Sequence, residues 1–257
     1  QPRCARARRS SRAAGSLSAP RPPAGAVGEE GQLRRDLALA CRILAANGQG
    51  DSVYGHVTAR LPGWDRFWMK PAGLGLEEIR EEQLVLVDLD GKVLAGDRPR
   101  HSEYPIHAEV MRARPDVCAV VHTHPKFSIA FAARGTPLRP ISHEACYFWP
   151  PDVPVLEEFT ALVRTRAQGQ EVARLLGTGR GIFLRNHGIA VAGTDVAEAC
   201  VGAILLERAA EIQLLAESGG AAVRHTPPEE ALLKREQIYR PGALRSAFEY
   251  HARRLAP

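Results

Sequence analysis

The sequence predicts an α/β fold in three layers, with a central mixed, mostly antiparallel sheet between two layers of helices. Three observations lead there. Apolar runs of strand length alternate with amphipathic stretches of helix length, so the two element types interleave along the chain. Several neighbouring strands are joined by turns too short for a helical crossover, which makes their pairing antiparallel. The chain has 257 residues, 45% of them hydrophobic and 25% charged, enough for one large core of ordinary globular composition.

The elements follow in order. Residues 1–28 hold Arg3, Arg6, Arg8, Arg9, Arg12 and Arg21, no acid and almost nothing to bury, and are expected to be a disordered basic tail. Residues 29–257 are expected to form the folded domain. Gly31 to Ala46 places Leu33, Leu37, Ala40, Cys41 and Leu44 at helical spacing, and Asn47-Gly48 ends the helix. Strands are predicted at His56 to Leu61, Arg66 to Lys70 and the alternating Leu84 to Leu89. Asp90-Gly91 is a two-residue hairpin turn into Lys92 to Ala95. A helix is predicted from an N-cap at Ser102, with Pro105 in its first turn and Arg112, Arg114 and Pro115 at its end. Val117 to His124 is the next strand, followed by a short helix through Ala133. Gly181 to Gly193 reads as strand, turn, strand with His187 at the bend. Asp195 caps a long helix through about Glu217, and two C-terminal helical pieces follow Pro227-Pro228. "GTGRG" at Gly177 to Gly181 precedes a strand, so it is a turn and not a dinucleotide fingerprint.

Charge and cysteines exclude some function classes. The net charge is +5, and without the six tail arginines it is −1, so the domain is near neutral and is not expected to bind nucleic acid. The tail composition is shared with organellar transit peptides, but 30 Arg against 4 Lys makes arginine excess a habit of the whole chain. No apolar run approaches the roughly 18 residues of a membrane span. The five cysteines, Cys4, Cys41, Cys118, Cys146 and Cys200, are scattered without a C-x-x-C pair, which predicts a cytoplasmic, reducing setting and no thiolate metal site. Cys118 and Cys200 lie in apolar stretches and are expected in the core.

The chemistry is concentrated in "VVHTHP". In an extended strand, His122 and His124 point to one face and Thr123 to the other, and Pro125 stops the strand, which places the pair at a sheet edge. Such a pair reads either as half of a metal site or as two partly buried, hydrogen-bonded histidines. Glu103 near a helix start and His187 at a hairpin are further groups displayed at element ends.

The stretches "HSEYPIH", "RPDVCAVVHTHP" and "NHGIAVAGTDVAEAC" together resemble the class II aldolase/adducin family, which includes fuculose-phosphate aldolase and ribulose-phosphate epimerase. The resemblance runs from about Leu33 to Glu217 with the motifs in the family's order. It implies one divalent metal ion, zinc first with manganese or iron as alternatives, bound by His122, His124, His187 and Glu103. It also implies a homotetramer with sites at subunit interfaces and Glu103 as general acid or base. The chain departs from the sugar-phosphate pattern of the aldolases. Gly55-His56, Ala72-Gly73 and His101-Ser102 stand where those enzymes grip phosphate, and His143 falls near their catalytic tyrosine, with Tyr147 close but out of register. His56, Lys70, Gly73, His101 and Ser102 are therefore the expected substrate-binding residues. His107, four residues after Glu103, shares its helix face and is read as a satisfied structural histidine, with support of the metal ligands as the alternative. "GHV" resembles members that decarboxylate aromatic or pyridine carboxylates, and iron-dependent oxygenases of prenylated hydroxyphenylpyruvate.

The resulting expectation is a cytoplasmic, oligomeric lyase that cleaves a C–C bond of a hydroxy- or oxo-acid by aldol cleavage or decarboxylation through a metal-stabilised enolate. Its partners are a small-molecule substrate and copies of itself, with no nucleic acid and no membrane. The alternatives are a non-haem iron(II) oxygenase acting on an aromatic 2-oxo acid and an adducin-like scaffold without catalysis.

Overall fold

The computed structural model describes residues 24–220 and 222–255, so the expected tail lies outside the described residues up to position 23. One eight-stranded sheet runs in the order β4-β3-β2-β1-β5-β8-β7-β6. Its strands are β1 (His56–Ala59), β2 (Arg66–Met69), β3 (Val85–Asp88), β4 (Val93–Ala95), β5 (Ala119–Thr123), β6 (Val155–Leu156), β7 (Gly181–Leu184) and β8 (Gly188–Gly193). All pairs are antiparallel except β6 with β7, so the sheet is mixed as predicted. β3 and β4 form the expected hairpin, but Val87 pairs with Val93, so the connecting loop is Leu89, Asp90 and Gly91, three residues where two were predicted, with Gly91 in the left-handed region at φ 88°.

Alternation along each strand divides the core into two layers. Val57, Ala59, Ala119, Val121, Ile189 and Val191 face one hydrophobic cluster, together with α1 (Ala24–Leu44) and α6 (Val196–Glu217). Phe67, Met69, Val120, Ile182, Ala190 and Ala192 face the other, built with α2 (Tyr104–Ala113) and α5 (Arg166–Leu176). The remaining α-helices are α3 (Lys126–Ala132), α4 (His143–Phe148), α7 (Pro228–Ile238) and α8 (Ala243–Arg253). Helix α6 is buried along most of its length, which explains why its sequence is apolar all round. The Asp195 side chain caps it by accepting from Glu198 N–H at 2.8 Å, as predicted.

Four further expectations are corrected. Helix α1 begins at Ala24, before the predicted start. The helix after Ser102 has Glu103 at its N-cap, and the exposed Ser102 makes no capping hydrogen bond. The reason is tertiary: the Glu103 carboxylate is drawn to the backbone N–H of Val163 at 2.8 Å, which fixes where the helix enters. Strand β5 lies between β1 and β8, so the histidine pair stands at the C-terminal end of a central strand and not at a sheet edge. Finally, α4, β6 and α5 lie in a stretch that carried no predicted element.

Candidate metal centre

Strand period and register bring the histidines together. On β1 and β5, His56, Thr58, Val120 and His122 all point away from the α1/α6 cluster, toward the face that α2 covers. The antiparallel register pairs His56 with His122, and their rings lie 4.9 Å apart between centroids. Thr123 pairs with Ile189, so His124 comes opposite the start of β8, immediately after His187. The hairpin that carries His187 turns on Asn186 at φ 57°, a left-handed conformation that asparagine tolerates better than most residues. Glu103 then joins from the N-cap of helix α2.

Tautomers follow from the outer hydrogen bonds. His122 Nδ1 is 2.8 Å from the Ile189 carbonyl, and His124 Nδ1 is 3.0 Å from Asp51 Oδ2. Neither oxygen can donate, so each imidazole carries its proton on Nδ1 and leaves Nε2 bare. The two Nε2 atoms face each other at 3.1 Å. Two lone pairs at that distance repel, and a cation between them turns repulsion into ligation. Such outer partners fix the ring orientation that ligation requires. His187 Nε2 is buried without a hydrogen-bond partner. Glu103 Oε2 stands 3.6 Å from it and 3.7 Å from His122 Nε2. One ligand atom from each of the four residues lies within 4.8 Å of the others. Tetrahedral bonds of about 2.0–2.1 Å place ligand atoms roughly 3.3–3.5 Å apart, so this set fits a divalent ion after small side-chain adjustments.

The electrostatics agree. Burial, reinforced by the neighbouring imidazoles, holds His122 and His56 well below the usual histidine pKa. His124 is lowered for the same reasons, with Asp51 pulling the other way. Burial works against the charge on Glu103, but His187, the Val163 N–H and His124 outweigh it and hold the carboxyl below its ordinary value. At neutral pH His122 and His124 are therefore neutral imidazoles and Glu103 a carboxylate, the protonation states in which such groups ligate a metal.

The other predicted residues divide. His56 and His101 join the cluster, with ring centroids 4.4 Å apart. Lys70 is fully buried and approaches through His101, its Nζ 3.1 Å from His101 Nε2 while it donates to the Val53 carbonyl at 2.7 Å. Burial lowers its pKa to about 8. Gly73 and Ser102 are exposed on adjoining loops, which Ala72 N–H to the Pro99 carbonyl at 2.9 Å holds together. His143 stands exposed in the first turn of α4 and makes none of the hydrogen bonds or ring contacts that join the others within one chain. Tyr147 is core: its hydroxyl donates to Glu198, and burial pushes its pKa up. Asp51 and the Val163 N–H are contacts to the cluster that sequence reasoning missed; Asp51 sits in a Gly-rich turn with no periodicity or motif to mark it.

Gly188 permits the close approach. A Cβ there would lie 2.2 Å from the Thr123 carbonyl oxygen and 2.9 Å from His124 Cδ2. Gly188→Ala is therefore expected to cost on the order of 2–4 kcal/mol and to weaken metal binding by displacing His124. Urea unfolding and metal titration check this, with Gly219→Ala, where a Cβ meets open space, as control. Equal stability and affinity in both variants would contradict it.

The fold is α/β, and Glu103, His122, His124 and His187 form a histidine–carboxylate cluster that could hold a metal ion. Residues 35–214 match the family described as class II aldolase and adducin N-terminal domain. The chain is 32% identical over 209 residues to a 3,4-dihydroxyphthalate decarboxylase of Arthrobacter keyseri, covering 77% of this chain and 84% of that one. It is 34% identical over 205 residues to a 4-hydroxy-3-prenylphenylpyruvate oxygenase/4-hydroxy-3-prenylbenzoate synthase of Streptomyces roseochromogenus subsp. oscitans, covering 78% and 73%. A solved L-fuculose 1-phosphate aldolase of Glaciozyma antarctica superposes with a TM-score of 0.79 at 27% identity, covering 91% of this chain and 92% of that one. The chain belongs to the class II aldolase/adducin family. At the level of that family it is a metal-dependent lyase, which sets aside the scaffold alternative.

Proposed function

We propose that the chain breaks a C–C bond of a hydroxy- or oxo-acid, by decarboxylation or aldol cleavage, with His122, His124, His187 and Glu103 holding one divalent ion. The convergence of bare imidazole nitrogens with a carboxylate carries this reading. Zinc suits such a donor set, and manganese or iron is compatible with it. When bound, the ion supplies a fixed positive charge that favours the enolate left as the C–C bond opens.

The chain's own residues supply the rest. Glu103 Oε1 is anchored by the Val163 N–H, so Oε2 alone is left to turn between the histidines and a substrate proton. It is held as a carboxylate, the form that accepts a proton. His56, with His101 and the Lys70 behind it, forms the wall beside His122 where the substrate's remaining polar groups are received. Gly73 and Ser102 extend that wall at the surface. We place the protein in the cytoplasm on its scattered cysteines, and as a homotetramer in which a neighbouring subunit brings His143 to the site as a proton-transfer group. His143→Ala is then expected to lower kcat and alter the pH profile at unchanged metal content; the same kcat and profile as wild type would remove His143 from the mechanism.

One observation favours a second reading. The similarity to an oxygenase, together with a donor set of three histidines and a carboxylate, which includes a two-histidine, one-carboxylate combination, is compatible with iron(II) oxygen chemistry on an aromatic 2-oxo acid. Incubating the metal-loaded protein with hydroxylated aromatic acids, 2-oxo acids and sugar phosphates, with carbon dioxide, aldehyde and oxygen followed together, separates the two. Carbon dioxide or aldehyde without oxygen uptake is expected; stoichiometric oxygen uptake would replace the lyase by the oxygenase.

A further inference from the structure

Behind the metal ligands, a line of buried polar groups crosses from β1 to α2. His56 Nδ1 is 2.6 Å from His107 Nε2, and His107 Nδ1 is 2.8 Å from Thr58 Oγ1. The Thr58 hydroxyl in turn lies 3.4 Å from the Val120 carbonyl. His56 and His107 are 1% and 0% exposed and Thr58 is fully buried, so water cannot readily substitute for any of these partners.

The Val120 carbonyl can only accept, and this gives the line a direction. If Thr58 donates to Val120, its lone pairs accept from His107 Nδ1–H. His107 Nε2 is then bare and accepts from His56 Nδ1–H, and every contact in the line is a proper donor–acceptor pair. In the opposite direction Thr58 must donate to His107, and the Val120 contact is lost. With Nδ1 protonated, His56 keeps a bare Nε2, which has no protein partner among the described residues. The His56 ring lies beside those of His122 and His101, so the ring belongs to the wall of the metal site.

A bare nitrogen suits a donor and repels the oxygens of a phosphate or carboxylate. We propose that Thr58 and His107 are positioning residues that hold His56 as the Nδ1–H tautomer, so that its Nε2 accepts a hydrogen bond from a hydroxyl of the substrate next to the atoms bound at the metal. The site therefore selects an acid that carries a neighbouring hydroxyl. A site built to bond a hydroxyl rejects an analogue lacking it far more strongly than an apolar pocket does. This assignment rests on the metal-site reading for its substrate, but the tautomer can be measured without any reaction.

The test uses the full zinc-loaded chain with nitrogen-15 in its histidine rings, with His56 assigned by comparison with His56→Phe. Long-range proton–nitrogen spectra are expected to show His56 protonated on Nδ1 and bare on Nε2. His107→Gln, which still offers an acceptor oxygen, keeps that pattern, and His107→Leu mixes the tautomers. A proton on Nε2 in the wild type, or an unchanged His56 in His107→Leu, would overturn the proposal. The wild-type spectrum decides the direction even if His107→Leu does not fold. Calorimetry with 2,3-dihydroxybenzoate and 2-hydroxybenzoate then tests the selection: the first is expected to bind about tenfold more tightly, the worth of one hydrogen bond, and to lose that advantage in His56→Phe. Equal binding of the two by the wild type, or an advantage that survives in His56→Phe, would overturn it. A chain that takes up no zinc would instead refute the metal-site reading, leaving the tautomer to be judged on the metal-free protein.

Discussion

His124→Ala is expected to abolish activity and to reduce metal affinity by more than about 100-fold, the upper end of what loss of even an outer partner costs. The fold should survive. His124 is partly exposed, and its side chain contributes little to either hydrophobic cluster. In the metal-free protein its removal also relieves the facing lone pairs of His122 and His124 at 3.1 Å. The metal-free variant should therefore unfold within about 1 kcal/mol of the metal-free wild type, while the metal-loaded proteins differ by the whole stabilisation that binding confers. Urea unfolding with and without added zinc reads both quantities. A His124→Ala chain that kept full metal content and full activity would refute the ligand assignment.

The second large effect is loss of stability in acid. Burial pushes His107 down to about 3, and burial together with Lys70 pushes His101 down to about 4, while His56 and His122 are also held well below the ordinary value. In the unfolded chain these imidazoles take up protons near pH 6.5. Between that pH and the lowered folded values the unfolded state binds more protons, so stability falls as pH falls. Each such group costs up to about 1.4 kcal/mol per pH unit. The three fully buried histidines, His56, His107 and His122, together cost about 6 kcal/mol by pH 5. Against a typical total of about 5–15 kcal/mol, this is enough to unfold the metal-free chain in mild acid. Glu103 acts in the same direction at lower pH, since its lowered carboxyl contributes stability that is lost on protonation. Bound metal should move the transition to lower pH because it binds the folded chain and adds its binding free energy to the stability. His107→Gln should flatten the slope by about 1.4 kcal/mol per pH unit. A metal-free stability that stayed constant from pH 7 to pH 5 would show that these histidines are not buried as neutral groups.

Sequence pattern located the four clustered side chains because they sit where local rules are strong. Two residues of spacing on a strand put His122 and His124 on one face, and Asn-His-Gly marks a hairpin whose glycine admits the neighbouring strand. Glu103 was legible through the motif around it, although its helix position was not: Ser102 looked like the cap, and the pull of the Val163 N–H decided otherwise. The parts that stayed hidden depend on contacts across the sheet. Helical spacing put His107 on the face of Glu103, yet its bonds run to Thr58 and His56, because α2 lies over β1 as well as over β5. The burial of Lys70, and its approach through His101, likewise depend on packing that a strand pattern does not show. Asp51 orients His124 from a turn 73 residues earlier in the chain, and no local rule links the two. The placement of β5 within the sheet was missed for the same reason, since Pro125 reports only that the strand ends, not what lies beside it.

Glu103, His122, His124 and His187 are expected to hold one metal ion between them. Elemental analysis of the full chain, purified without chelators and repeated on His124→Ala, tests it most directly. The expected result is about one equivalent of a divalent ion per wild-type chain and essentially none in the variant, as a single four-ligand site requires. Zinc or manganese would accord with the lyase, and iron would favour the oxygenase. No metal in the wild type, with none taken up on reconstitution, would contradict the account and leave the facing histidines without an explanation.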